Sequence, residues 1–148
     1  MFPTLALAAL LALVPLGLAA QAGAVSPPPA TLNGVLTNLR GRGICYLALF
    51  ASAEGFPKQT SRAVRTSRIP EGGANVLFAF YNLPPGDYAL AVFYDENNNG
   101  RLDTNFLGIP TEQFGFSNNA RRMMFFPPSF AAARFAVPAA ARVSVKLR

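Results

Sequence analysis

The chain has 148 residues, of which 51% are hydrophobic and 14% charged, and its formal net charge is +6. That is the size of one ordinary domain, and the composition excludes a disordered chain. It holds no histidine, no tryptophan and a single cysteine, which excludes histidine-based triads and dyads, histidine-ligated zinc or haem, and any disulfide within the chain.

Phe2 to Ala20 is a nearly unbroken apolar run of Leu and Ala, and no charged side chain precedes Arg40. Small-x-small triplets follow at Ala20-Gln21-Ala22 and Ala22-Gly23-Ala24, the pattern that signal peptidase accepts. Residues 1–24 are therefore expected to be a cleaved signal peptide, although the segment ahead of the apolar run carries no Lys or Arg. The rival, an uncleaved membrane anchor, fits less well with Pro3, Pro15 and the paired small-residue sites. The expected destination is periplasmic or extracellular, with no membrane span after cleavage. The remaining chain is basic and rich in arginine. Such a surface keeps a protein soluble or favours anionic surfaces such as lipid headgroups and acidic polysaccharide. No basic patch is interleaved with aromatics, so nucleic acid is not an expected partner.

Residues 25–30, with Ser26-Pro27-Pro28-Pro29, read as a stiff Pro-rich spacer without core residues, and the folded domain is expected over 31–148. Thr31 to Leu39, with Leu32, Leu36 and Leu39 among polar neighbours, reads as a first strand. Gly41-Arg42-Gly43 is a turn, and Ile44 to Phe50 is an apolar strand buried on both faces or nearly so, with Cys45 facing the core beside Leu47 and Leu49. Val64 to Ile69 is a weak strand. Asn75 to Tyr81 is a strong one with Val76, Phe78 and Phe80 on one face. Leu83-Pro84-Pro85-Gly86-Asp87-Tyr88 is a turn, because two prolines cannot continue a ladder. Further strands are expected over Tyr88 to Tyr94, Met123 to Phe126, Arg134 to Val137 and Arg142 to Leu147; in the last, Val143, Val145 and Leu147 alternate with polar residues. No helical period stands out. Short strands and turns at this spacing predict an all-β fold, a single Ig-like or prealbumin-like antiparallel β-sandwich of about seven strands.

Asp95-Glu96-Asn97-Asn98-Asn99-Gly100-Arg101-Leu102-Asp103 carries the chemistry. Oxygen-bearing side chains fall at positions 1, 3, 5 and 9 of this run, glycine falls at position 6, and the Arg101 carbonyl falls at position 7. A calcium ion needs six to eight oxygens at about 2.3–2.6 Å, so the chain must wrap it with alternate residues inward and glycine at the bend. Asp95, Asn97, Asn99, Arg101 and Asp103 are the candidate ligands, and Glu96 and Glu112 are possible additions. The loop is not an EF-hand, since position 12 is Phe106 and the flanks are not helical. Two carboxylates imply weak binding, on the order of 10⁻⁴–10⁻³ M. The same residues also make an ideal plain turn. A carboxylate-based hydrolase using Asp95, Asp103 and Glu112 is the least favoured reading, because clustered carboxylates suit a cation better than opposed faces of a sugar.

Phe106 to Ala120 mixes aromatics, glycines and amides without strand or helix period and is expected as a long loop. Either Phe114, Phe116, Asn118 and Asn119 line a metal-free binding surface for an envelope glycan, lipid or protein, or the phenylalanines cap an open end of the sandwich. The run Phe125 to Phe130 is expected to pack beside it.

Several of these segments together, namely Gly43-x-Cys45-x-Leu47-Ala48-Leu49-Phe50, Glu54-Gly55-Phe56-Pro57, Leu83 to Tyr88, Asp95 to Asn105, and Gly108-Ile109-Pro110-x-Glu112-x-x-Gly115-Phe116-Ser117-Asn118, resemble a family of secreted bacterial proteins known as domain of unknown function 2141. The resemblance covers nearly all of the chain beyond the signal segment. It implies a small exported protein and assigns no activity. Tyr94 stands where histidine is common in that family, so an activity resting on that histidine would be missing here. The Leu83 to Tyr88 turn is also similar to that of prealbumin-like and carboxypeptidase-regulatory-like sandwiches, which supports the fold.

Overall fold

A computed structural model describes residues 26–70 and 73–148. The expected signal peptide, residues 1–24, lies outside the described residues. Ser26 to Pro29 has no regular structure, as prolines that fix φ and lack an N–H dictate. Eight strands follow among the described residues: β1 Ala30–Thr37, β2 Ile44–Phe50, β3 Arg65–Ile69, β4 Asn75–Leu83, β5 Gly86–Asp95, β6 Phe114–Phe116, β7 Phe135–Val137 and β8 Ala140–Lys146. They form two sheets, one ordered β4-β1-β8 and the other β3-β2-β5-β6, with β7 pairing the start of β5.

The core between the sheets is built from alternate residues, as period-2 side chains require. Leu32 and Leu36 of β1, Val76, Phe78 and Phe80 of β4, and Val145 with Leu147 at the end of the chain meet Cys45, Leu47, Leu49, Leu90, Val92 and Tyr94 from the facing sheet. Each fully buried side chain of this size contributes roughly 1.5–3 kcal/mol relative to exposure. Cys45 faces this core, fully buried. The β4–β5 connection carries the chain from one sheet to the other. Its Pro84-Pro85 pair ends the first ladder, and the Tyr88 hydroxyl donates 2.6 Å to the Pro84 carbonyl, a tyrosine corner that ties the strand start back to its own turn.

Five particulars differ from the sequence expectations. The sandwich is not wholly antiparallel: β8 pairs β1 in parallel, Thr31 opposite Ala140 through Thr37 opposite Lys146. Alternation along Val143, Val145 and Leu147 specifies a face but says nothing of strand direction. Ala30, placed in the spacer, begins β1 and is fully buried opposite Leu83. Met123 to Phe126 is not a strand. It is a tight turn in which Met123 and Phe126 exchange backbone hydrogen bonds of 3.0 Å, with Met124 at φ 53°; Pro127 and Pro128 directly after it cannot donate to a ladder. Phe114 to Phe116, expected inside a loop, is a three-residue strand on β5, too short to show a period. Phe130–Ala133 is a single helical turn whose N-cap, Ser129, accepts from the Ala132 N–H at 3.2 Å.

The outer face of the five-stranded sheet carries a second apolar cluster. Ala89, Phe116 and Ala133 are buried there, with Phe56, Phe114 and Phe130 packed against them. Phe56 meets Phe50, Phe116 and Phe130 edge-on, with ring centroids 5.3, 6.1 and 5.9 Å away. The 51–63 loop and the short helix therefore cover part of that face, which explains why β2 is buried on both sides.

Candidate functional site

The 95–103 loop leaves β5 at Asp95, the last residue of that strand. Asp95 is fully buried, and its carboxylate is matched by backbone: Oδ1 accepts from the Asn99 N–H at 3.1 Å and Oδ2 from the Gly100 N–H at 2.8 Å. The Asn97 amide oxygen also accepts from the Asn99 N–H, at 3.1 Å, and the Asn99 amide oxygen accepts from the Arg101 N–H, at 3.0 Å. Side chains at positions 1, 3 and 5 thus each draw a later backbone N–H toward themselves, and the chain curls. Asn98 at φ 61° and Gly100 at φ 80° take the left-handed turns this curl needs, conformations that Asn and Gly adopt at least cost.

Asp103 closes the curl. Its Oδ2 accepts from the Asn97 amide nitrogen at 2.6 Å, and its Oδ1 and Oδ2 accept from the Asn99 amide nitrogen at 2.8 and 3.0 Å. Bonds from Asn99 first, then Asn97, hold the Asp103 carboxyl below its ordinary 3.8, because they favour the ionised form. The structure therefore brings Asp95, Asn97, Asn99 and Asp103 together in one ring of contacts.

Glu112 sits outside that ring and fastens it. It is buried, and its two carboxylate oxygens accept from the Glu96 N–H at 2.9 Å and the Asp103 N–H at 3.0 Å. The Thr111 N–H donates to the Asp103 carbonyl at 2.9 Å, and the Tyr94 N–H to the Gln113 carbonyl at 2.8 Å. The segment 111–113 thus runs beside the loop as a clamp. Glu96 contributes its backbone N–H to this clamp. Gln113, which the sequence reading passed over, is buried and bridges two more segments: its amide nitrogen donates to the Asn38 carbonyl at 2.9 Å and its oxygen accepts from the Arg40 N–H at 2.8 Å. Among the described residues no three His, Cys, Asp or Glu side chains are grouped to hold a metal. A cation in this loop would have to take two carboxylates and complete its shell with amide and carbonyl oxygens.

A second feature lies beside the loop. Against the outer face of the five-stranded sheet is an open cavity of about 830 Å³. Its floor includes Tyr46, Ala48, Ala91 and Phe93, and its walls come from the 57–60, 100–110 and 122–127 segments. Tyr46 and Phe93 stack at 4.8 Å, 8° from parallel. Arg68 lies 5.8 Å over the Tyr46 ring, donates to the Tyr46 hydroxyl at 3.1 Å and reaches the Asn98 amide oxygen at 3.4 Å, which joins the cavity floor to the loop tip.

The residues expected of a binding surface divide here. Phe114 and Phe116 line the cavity. Asn118 and Asn119 do not: the Asn118 amide donates to the Arg134 carbonyl, and the Asn119 amide oxygen accepts from the Lys146 N–H at 2.9 Å. They staple the helix end and β8 to the segment after β6. The sequence offered Arg101 only for its backbone carbonyl and gave no sign that Lys58, Arg68, Arg101 and Arg122 share a site, because they are far apart along the chain and only the fold gathers them.

The model of the bacterial family described as "Uncharacterized protein conserved in bacteria (DUF2141)" matches residues 36–146. The chain belongs to this family. The matched span runs from the end of β1 to the end of β8, so the clamp, the loop and the cavity of this DUF2141 protein all lie inside the family's shared region. No curated protein and no solved structure matches the chain.

Proposed function

We propose that this protein is an exported, non-catalytic β-sandwich module that takes up calcium weakly in the 95–103 loop. The observation that carries the reading is the curl of positions 1, 3 and 5 onto later backbone N–H groups, closed by the position-9 carboxylate. It is the path a chain follows to wrap a hard cation. Two amide NH₂ groups, from Asn97 and Asn99, sit against Asp103 and satisfy its charge. Each Asn oxygen that accepts a backbone N–H keeps a second lone pair for an ion. Asp95, Asn97, Asn99, the Arg101 carbonyl and Asp103 would form the shell, and water would complete it. Export is supported by the apolar N-terminal run and its small-residue sites. A non-catalytic role is supported by the engagement of Asp95 and Glu112: all four of their oxygens accept backbone N–H groups, which leaves neither shaped to shuttle a proton.

The test is a thermal melt in 10 mM calcium against EDTA at matched ionic strength, with magnesium as control. At a dissociation constant of 10⁻⁴–10⁻³ M, calcium would stabilise the fold by roughly 1.4–2.7 kcal/mol, a rise on the order of 5–12 °C for a domain of this length. Asp103→Ala should abolish the rise. Equal midpoints in calcium and EDTA would reject the calcium reading.

A second reading, a metal-free module that binds a glycan, lipid or protein through the 106–120 loop, is favoured by Phe114 and Phe116 in the cavity wall.

A further inference from the structure

We propose that the cavity on the outer face of the five-stranded sheet is a binding site for a single-chain anionic amphiphile, an acyl or alkyl chain ending in a carboxylate or a phosphate. The inference rests on the second reading above, that the cavity is a ligand site, and is independent of calcium. It assigns the ligand's chemistry and the residues that select it.

Charge carries the argument furthest. Lys58, Arg68, Arg101 and Arg122 all line the cavity, and among the described residues no Asp or Glu lines it. Four cations gathered over an apolar floor repel one another and attract an anion. Four of the seven acidic residues, Asp95, Glu96, Asp103 and Glu112, lie in the neighbouring loop and clamp, and that separation of sign is a property of the fold.

Arg122 adds a second, independent observation. One of its terminal nitrogens donates to the Phe125 carbonyl at 2.9 Å, and its guanidinium lies 5.7 Å over the Phe114 ring. Both contacts fix the fork at the cavity wall. Its Nε is buried with no hydrogen-bond partner, the one such side-chain atom found among the described residues. A buried donor left unpaired is costly, and a guanidinium edge fits the paired oxygens of a carboxylate or phosphate. An anionic head drawn to Arg122 would satisfy this N–H through a small shift of the side chain.

The apolar part of the ligand is specified by the remaining surface. Ala91 and Phe93 in the floor and Phe114 and Phe116 in the wall form a surface that a hydrocarbon chain covers without stranding polar atoms, and the volume lies in the range of small-molecule pockets, about 300–1,000 Å³. The two segments that flank the cavity also carry exposed apolar tips. Phe106 and Leu107 are exposed on one, and Met123, Met124, Phe125 and Phe126 on the other, consecutive apolar residues rather than the singly scattered ones that need no explanation. Such tips give an amphiphile an apolar path between a lipid surface and the cavity.

The experiment is an NMR titration of the protein in EDTA with decanoate, decyl phosphate and 1-decanol, each below its aggregation threshold. Decanoate or decyl phosphate should bind saturably, shifting resonances of Phe93, Phe114 and Arg122, at least about tenfold more tightly than the alcohol. The preferred head identifies the ligand's source, a fatty acid or a phospholipid derivative. Arg122→Gln should weaken the anions about tenfold and leave the affinity for the alcohol unchanged, in a variant whose cooperative melt shows that it is folded. Ala91→Trp, which fills the floor, should abolish binding of all three; should that variant fail to fold, Arg122→Gln alone decides. Saturable binding of all three with equal affinity would overturn the anionic assignment while the cavity stands as a ligand site. No binding of any of them would overturn both. Unchanged anion affinity in a folded Arg122→Gln would overturn the role of Arg122 as the selecting residue.

Discussion

Glu112 is the strongest single point at which to test the clamp on the acidic loop. Its two carboxylate oxygens hold the N–H groups of Glu96 and Asp103 at 2.9 and 3.0 Å, so one buried side chain fixes the entry and the exit of the curl. Glu112→Gln preserves shape and one acceptor but sets an amide donor against the other N–H. In either amide orientation one of the two N–H groups loses its partner. A hydrogen bond to a charged group contributes about 1.5–3 kcal/mol, and the loop's exposed outer side lets water recover part of the loss, so a cost of about 2 kcal/mol is expected. Urea unfolding reads it directly: at a slope of about 1–3 kcal/mol per molar, the midpoint should fall by roughly 1 M with the slope unchanged. Amide hydrogen exchange should accelerate at Glu96 and Asp103 before it does in β2 or β5. A midpoint within about 0.3 M of wild type, with both amides still protected, would refute the clamp.

Two further outcomes follow from the same geometry. The Asp103 carboxyl, held below 3.8 by Asn99 and Asn97, contributes stability that is present above pH 3.8 and lost as pH falls through its lower folded value; a carbon-detected NMR titration should find that value, and Asn99→Ala should move it back up. Burial raises the Tyr88 phenol above its ordinary 10.0, against a lowering influence from Arg65, so its contribution is complete below pH 10 and lost as pH rises through the folded value. Tyr88→Phe removes the bond to the Pro84 carbonyl and should cost about 1–2 kcal/mol by urea unfolding.

Much of this architecture is legible in the order of residues alone. Alternation in Asn75 to Tyr81 and in Val143 to Leu147, and the long apolar run of Ile44 to Phe50, specify strands and the faces they bury, because side chains on a strand repeat every two residues whatever the strand pairs with. The Asp95 to Asp103 run is equally local. Its Asx-type bonds join residues two to six apart, so sequence suffices to mark it as a tight polar curl. Glu112 was visible as a nearby carboxylate, but its action through two backbone N–H groups depends on the return of segment 111–113 alongside the loop.

What tertiary structure decided is what distant segments do to one another. The parallel pairing of β8 with β1, the burial of Ala30 opposite Leu83 and the pairing of Phe114–Phe116 with β5 each depend on a partner far along the chain. The basic cavity depends most on it: Lys58, Arg68, Arg101 and Arg122 share no spacing, and Phe114 and Phe116 become its wall only because a three-residue strand finds the edge of β5. Local periodicity fixes which side of a strand is apolar, whereas long-range packing fixes which apolar sides are left uncovered and which charges gather around them.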